Sequence, residues 1–144
     1  MARRRDVLKW LPLGPMALPM ALPMALLAAG PGKLPNAVIA AKNAKVTHEP
    51  FGDLRVFFEG PTDQLKMMTA GSLMLKPGMS PHPPHQHEEE EFMVITEGTG
   101  EISMDGKITP VGPGSMMFSA AQRLHGIVNT GKVPLLFYFY KWKA

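Results

Sequence analysis

Residues 45–144 read as a single all-β domain, an antiparallel double sheet or barrel. Three observations predict it. The segment breaks into short apolar or alternating runs separated by Gly, Pro and Asp, the pattern of strands joined by tight turns. No stretch keeps a helical period for two or three turns. Asp105-Gly106, between Glu101-Ile102-Ser103-Met104 and Lys107-Ile108, tolerates the positive φ angles of a two-residue hairpin turn. A chain of 144 residues has room for one such domain around one hydrophobic core.

The front of the chain has a different character. Arg3-Arg4-Arg5-Asp6-Val7-Leu8-Lys9 is a basic start, and the run from Trp10 to Ala29 carries no charge, the layout of an export signal over residues 1–30. The basic part resembles a twin-arginine signal, with Val7 where that family usually has Phe. Pro-Met-Ala-Leu occurs three times, at 15–18, 19–22 and 23–26, and a proline every four residues suits a continuous helix poorly. A cleaved leader is therefore favoured over an uncleaved membrane anchor, although the run is about long enough to span a bilayer. Cleavage could follow Gly30 or, if the signal extends to 40, Ala40. The protein is thus expected to be periplasmic or secreted. Residues 31–44 read as a linker.

The net charge of +3 and pI near 9.3 would suit a nucleic-acid partner if the excess lay in the body. It does not. Residues 1–30 hold four basic residues against one acidic, which leaves 11 of each sign in 31–144. Nothing basic is clustered to meet phosphates, and no nucleic-acid partner is expected. The absence of cysteine excludes disulfides, thiolate metal sites and thiol nucleophiles, so any metal must sit on His, Asp or Glu.

In the body, strands are expected at roughly 45–49, 54–58, 65–76, 85–87, 91–97, 99–104, 107–111, 115–119, 124–129 and 134–142. Gly60-Pro61-Thr62-Asp63, Gly98-Thr99-Gly100 and Gly112-Pro113-Gly114 punctuate them. The last run, Leu135 to Trp142, alternates plain apolar residues with polar-tipped aromatics, as for a strand with one face in the core and the other at a wet edge.

The segment His82-Pro83-Pro84-His85-Gln86-His87-Glu88-Glu89-Glu90-Glu91 is the most informative. On a strand, residues i and i+2 share a side, so His85 and His87 can aim at one point inside the barrel, and Glu91 opens the next strand with a carboxylate. Two imidazoles and a carboxylate on one side of a divalent metal leave the other side free. Glu88, Glu89 and Glu90 read as a solvated charge run, with Glu89 or Glu90 able to hydrogen-bond a ligand imidazole. His82 lies among prolines outside the pattern, and His48 reads as surface.

The spacing resembles the cupin family. Its first motif is matched by Gly78, six residues, His85-Gln86-His87, three residues, Glu91, six residues and Gly98, with one residue extra in the first gap. Its second motif is matched at Gly114, His125 and Asn129, but Ala120 and Gln122 stand where the family has a Pro-x-Gly corner. The resemblance covers about residues 66–142 and implies a jelly-roll barrel with His85, His87, Glu91 and His125 as ligands of one divalent transition metal. Mn, Fe, Ni, Cu, Co and Zn all suit this set. Three neutral imidazoles and a carboxylate would leave one net positive charge and two open positions in an octahedral shell, suited to Lewis-acid or oxygen chemistry. Met93 and Ile95 share the parity of Glu91, with Met104 and Met117 on neighbouring strands, which suggests a small apolar cavity.

Two functions remain open. One is a metal-dependent enzyme on a small molecule, by resemblance dioxygenase-like; the other is a non-catalytic barrel binding metal or a small ligand. The resemblance also implies a homodimer.

Overall fold

The computed structural model describes residues 32–144. The export signal read at 1–30 lies outside the described residues.

Nine strands follow a short 3-10 turn at Ala41–Asn43. They are β1 (Lys45–Glu49), β2 (Gly52–Gly60), β3 (Met67–Leu75), β4 (Glu90–Glu97), β5 (Gly100–Met104), β6 (Lys107–Val111), β7 (Met116–Ser119), β8 (His125–Val128) and β9 (Leu135–Lys143). Six form one sheet in the order β1-β2-β3-β9-β4-β7, and three form a second in the order β6-β5-β8. Every pairing is antiparallel. Ahead of β1, the Leu34 N–H donates to the Pro61 carbonyl at 2.7 Å and Lys33 pairs with Asp63, so this stretch is tied to the turn after β2.

The alternation along the strands decides what fills the space between the sheets. On β9, Leu135, Phe137 and Phe139 are buried while Leu136, Tyr138 and Tyr140 face the other way. Leu73 and Leu75 of β3, Met93 and Ile95 of β4, and Ile102 and Ile127 of the small sheet complete the core. The β5–β6 turn is the one the sequence predicts: Asp105 and Gly106 have φ of 47° and 83°, and Met104 pairs with Lys107.

The strand expected at 85–87 does not form. Pro81, Pro83 and Pro84 fix φ and lack N–H donors, so the segment cannot hold a ladder. It runs instead as bends pinned at one point, where the His85 N–H donates to the His125 carbonyl and the His125 N–H to the His85 carbonyl, both at 2.9 Å. The Ser80 hydroxyl lies 2.7 Å from the carbonyls of both His82 and Ile127, holding the start of the loop against β8.

Gly98, between β4 and β5, shows why the motif ends on glycine. Its φ is +76°, and a Cβ there would lie 2.4 Å from the Pro134 carbonyl oxygen.

Candidate metal centre

Three structural units converge on one point. The proline-rich loop carries His85 and His87, β4 carries Glu91, and β8 carries His125. One nitrogen from each of the three histidines lies within 4.8 Å of the others. Glu91 reaches in from the large sheet, its Oε2 standing 2.9 Å from His125 Nε2 and 3.2 Å from His87 Nε2. Glu91 and His125 are buried, 6% and 2% exposed, whereas His85 and His87 are partly open, so solvent reaches the cluster from the loop side.

The far nitrogens are held by backbone. His87 Nδ1 lies 3.0 Å from the Glu89 carbonyl, and His125 Nδ1 lies 2.9 Å from the Arg123 carbonyl with the buried Ser119 hydroxyl 3.3 Å away. A carbonyl can only accept, so each Nδ1 carries the proton and each Nε2 presents a lone pair to the cluster. Both lone pairs then face the same carboxylate oxygen. That arrangement is repulsive unless extra protons or a cation sit among them. The third histidine adds an orphan: His85 Nδ1 is buried without a hydrogen-bond partner. Metal bonds of about 2.1 Å at right angles would set neighbouring donor atoms about 3 Å apart, which matches the two contacts of Glu91. The donor set fits a divalent cation.

Without a cation, protons shared with Glu91 take its place. Burial, reinforced by His82, His125 and His87, takes His85 down to about 4 and keeps its imidazole neutral. Burial pulls the Glu91 carboxyl upward, but hydrogen bonds from His125 and His87 and the charge of Lys141 outweigh it and hold it below the usual carboxylate value. The hydrogen bond with Glu91 raises His125 above its ordinary value despite burial.

These shifts give the metal-free protein a defined pH response. His85 binds its proton more weakly when folded, so its contribution is complete above about pH 6.5 and is lost as pH falls toward about 4. Glu91 adds to that loss below about pH 4.5. His125 has the opposite sign: its contribution is complete below about pH 6.5 and fades as pH rises through its raised value. Chelator-treated protein is expected to be most stable near pH 6.5, and His85→Gln to flatten the acid side alone. Urea midpoints across pH measure this; an acid side as steep in His85→Gln as in the parent would assign the loss elsewhere.

The corner before His125 resolves the motif's departure. Gln122 takes the left-handed conformation, φ 61°, at the place where the family has glycine. Its N–H donates to the His87 carbonyl at 2.8 Å, so the corner positions the ligand loop as well as β8. A left-handed non-glycine residue costs about 1–2 kcal/mol, partly offset by the lower entropy of its unfolded chain. Gln122→Gly is expected to stabilise the fold by about 0.5–1 kcal/mol in urea unfolding. No gain would mean the glutamine side chain supplies a compensating contact.

Some contributors escape sequence reasoning. His82 rests edge-on against His85, ring centroids 3.9 Å apart. Ser119 beneath His125 could have been found as the β7 partner of Glu91. The Glu89 and Arg123 carbonyls leave no trace in side-chain identity. Met93 and Met117 are buried in the core, Met104 packs against it, and His48 is exposed, paired with Asp53. Glu90 accepts from Trp142 Nε1–H at 3.0 Å and Glu88 pairs with Lys143, so neither serves the cluster.

Residues 71–140 match the family model described as the cupin domain. Over these residues the barrel is similar to a cupin. Solved structures superpose on it, among them KdgF from Halomonas sp. (17% identity, 76% of this chain and 96% of that one, TM-score 0.64). A predicted oxalate decarboxylase from Thermotoga maritima shares 21% identity over 75% of this chain and 100% of that one, with a TM-score of 0.60. The polyketide cyclase RemF from Streptomyces resistomycificus shares 22% over 75% and 80%, with a TM-score of 0.61. At such identities the likeness speaks for the fold. No curated protein matches the sequence.

Proposed function

We propose that this cupin-like protein is exported, holds one divalent transition metal on His85, His87, Glu91 and His125, and acts on a small molecule with dioxygenase-like chemistry. The observation that carries the metal is the Glu91 carboxylate oxygen shared by two imidazole nitrogens whose partner nitrogens are committed to backbone carbonyls. A bound ion would supply Lewis-acid or oxygen chemistry. The chain's own groups set the conditions for it. The carbonyls of Glu89 and Arg123 fix the tautomer in which a neutral imidazole turns its Nε2 lone pair inward, the buried core around Met93 and Met117 keeps water out of the interior, and the open side at His85 and His87 admits a ligand.

Arg4-Arg5 and the uncharged run behind them support export to the periplasm or beyond. The twin-arginine route moves folded proteins, so the site would fill in the cytoplasm, before Cu or Zn can compete for it. Metal identified in protein purified from its native compartment tests both parts. Protein from a chain given an unfolded-chain export signal should carry a different metal; unchanged content would sink the loading argument. The stacked Phe118 and Trp142 and the exposed Met116 and Tyr140 on the outer face of β7, β4 and β9 support a homodimer, which sedimentation would detect.

The tightly filled interior favours a second reading, a barrel that binds metal or a small ligand without turning it over. Full metal binding with no reactivity toward chelating substrates would select it. Turnover abolished by His87→Ala would select the enzyme.

A further inference from the structure

The face of the large sheet turned away from the histidines carries a groove of about 250 Å³ over β2, β3 and β9, walled by the 3-10 turn before β1. Its floor is polar in a regular way. Arg55 of β2 pairs with Ser72 of β3, and Ser72 with Tyr138 of β9, so a guanidinium, a hydroxyl and a phenol lie side by side across three strands. Lys42, from the 3-10 turn, adds a second cation at the wall. Phe57, Met74 and Leu136 provide apolar walls beside this row.

We propose that this groove is a second binding site, for a small carboxylate with an apolar body. Ser72 is only 2% exposed, and among the described residues its hydroxyl has no hydrogen-bond partner. Arg55, Lys42 and Tyr138 likewise make no side-chain hydrogen bond or ion pair among the described residues, and no acidic residue lines the groove. Asp53, two residues from Arg55 on the same face, is engaged with His48 at 2.8 Å. Guanidinium recognises a carboxylate through a two-pronged hydrogen bond, and the two hydroxyls can donate to the same oxygens. A mostly apolar concavity with a few convergent donors is the usual form of a small-molecule site, and this one is below the volume of drug-sized pockets. The occupant is accordingly a compact acid such as a medium-chain carboxylate.

Octanoate tests this by titration calorimetry on the full chain, with 1-octanol and octylamine as comparators. Octanoate is expected to bind saturably, and 1-octanol about tenfold or more weakly, because a charge-assisted pair is lost. Arg55→Gln should weaken octanoate by about tenfold, with Arg55→Lys intermediate, since lysine keeps the charge and loses the fork. Ser72→Ala and Tyr138→Phe should each weaken it less. Thermal melting of each variant separates lost binding from lost folding. His85→Ala, in the loop bridged to β8 and outside the groove lining, should leave octanoate binding intact. Equal binding of octanol and octanoate, indifference to Arg55→Gln, or no saturable binding at millimolar octanoate would each overturn the proposal. So would loss of binding in His85→Ala, which would place the acid at the histidine cluster.

Discussion

Asn129→Asp is expected to destabilise the barrel by about 3–4 kcal/mol, with a fall in Tm of about 15 °C or more. Asn129 is fully buried just after β8. Its Nδ2 donates to the carbonyls of Leu75 and Val133, at 3.0 and 2.9 Å, and its Oδ1 accepts from the Gly131 N–H at 2.9 Å. Its backbone completes the junction: Gly78 N–H donates to the Asn129 carbonyl and Asn129 N–H to the Met79 carbonyl, both at 2.9 Å. One side chain therefore joins the end of β3, the loop before the histidines and the turn into β9. Aspartate has the same shape but turns an acceptor toward two carbonyls, so a large loss isolates hydrogen bonding from cavity formation. Asn129→Ala should cost a similar amount by leaving three backbone groups unpaired, the buried Leu75 carbonyl among them, and by opening a cavity. Equilibrium unfolding measures both; a cost under about 1 kcal/mol for the aspartate variant would mean the junction is held by other contacts.

Glu91→Gln is expected to lower metal affinity by about 100-fold or more, since even groups that only orient a ligand are worth 10–100-fold. The substitution keeps the volume and removes the one negative charge among the four groups. In the parent, metal at about 100 times its dissociation constant should add about 2.7 kcal/mol of stability, roughly 10 °C or more in Tm. That shift should vanish in Glu91→Gln and His125→Ala and persist in His82→Ala, whose ring touches His85 without belonging to the group of three. A thermal shift retained in full by Glu91→Gln would remove the carboxylate from the ligand set.

Much of the barrel is legible in local chemistry. Asp105-Gly106 is read as a turn because few other dipeptides take two positive φ angles, and β9 is read from the alternation along Leu135 to Trp142, which burial follows from Leu135 to Tyr140. The meeting of His85, His87 and His125 follows from motif spacing, since a given separation along a fixed barrel returns to the same place. The path by which it is reached was not legible. Parity on a strand suggested how His85 and His87 share a side, yet the neighbouring prolines turn the segment into bends, and the convergence comes from a single bridge to His125. Gln122 shows another limit: propensity assigns the left-handed corner to glycine, and only the surrounding turn, with its bond to His87, holds a glutamine there.

The bridge between His85 and His125 has a mechanical consequence. His125 belongs to the three-stranded sheet and Glu91 to the six-stranded one, so an ion held by both would act as a rivet through two plates that otherwise meet by side-chain packing at this end. Stripping the rivet should let the plates part there first. Amide hydrogens of His85, Gln122 and His125 would then exchange with deuterium early in the chelated protein, while those of the β3–β9 pairing stay protected.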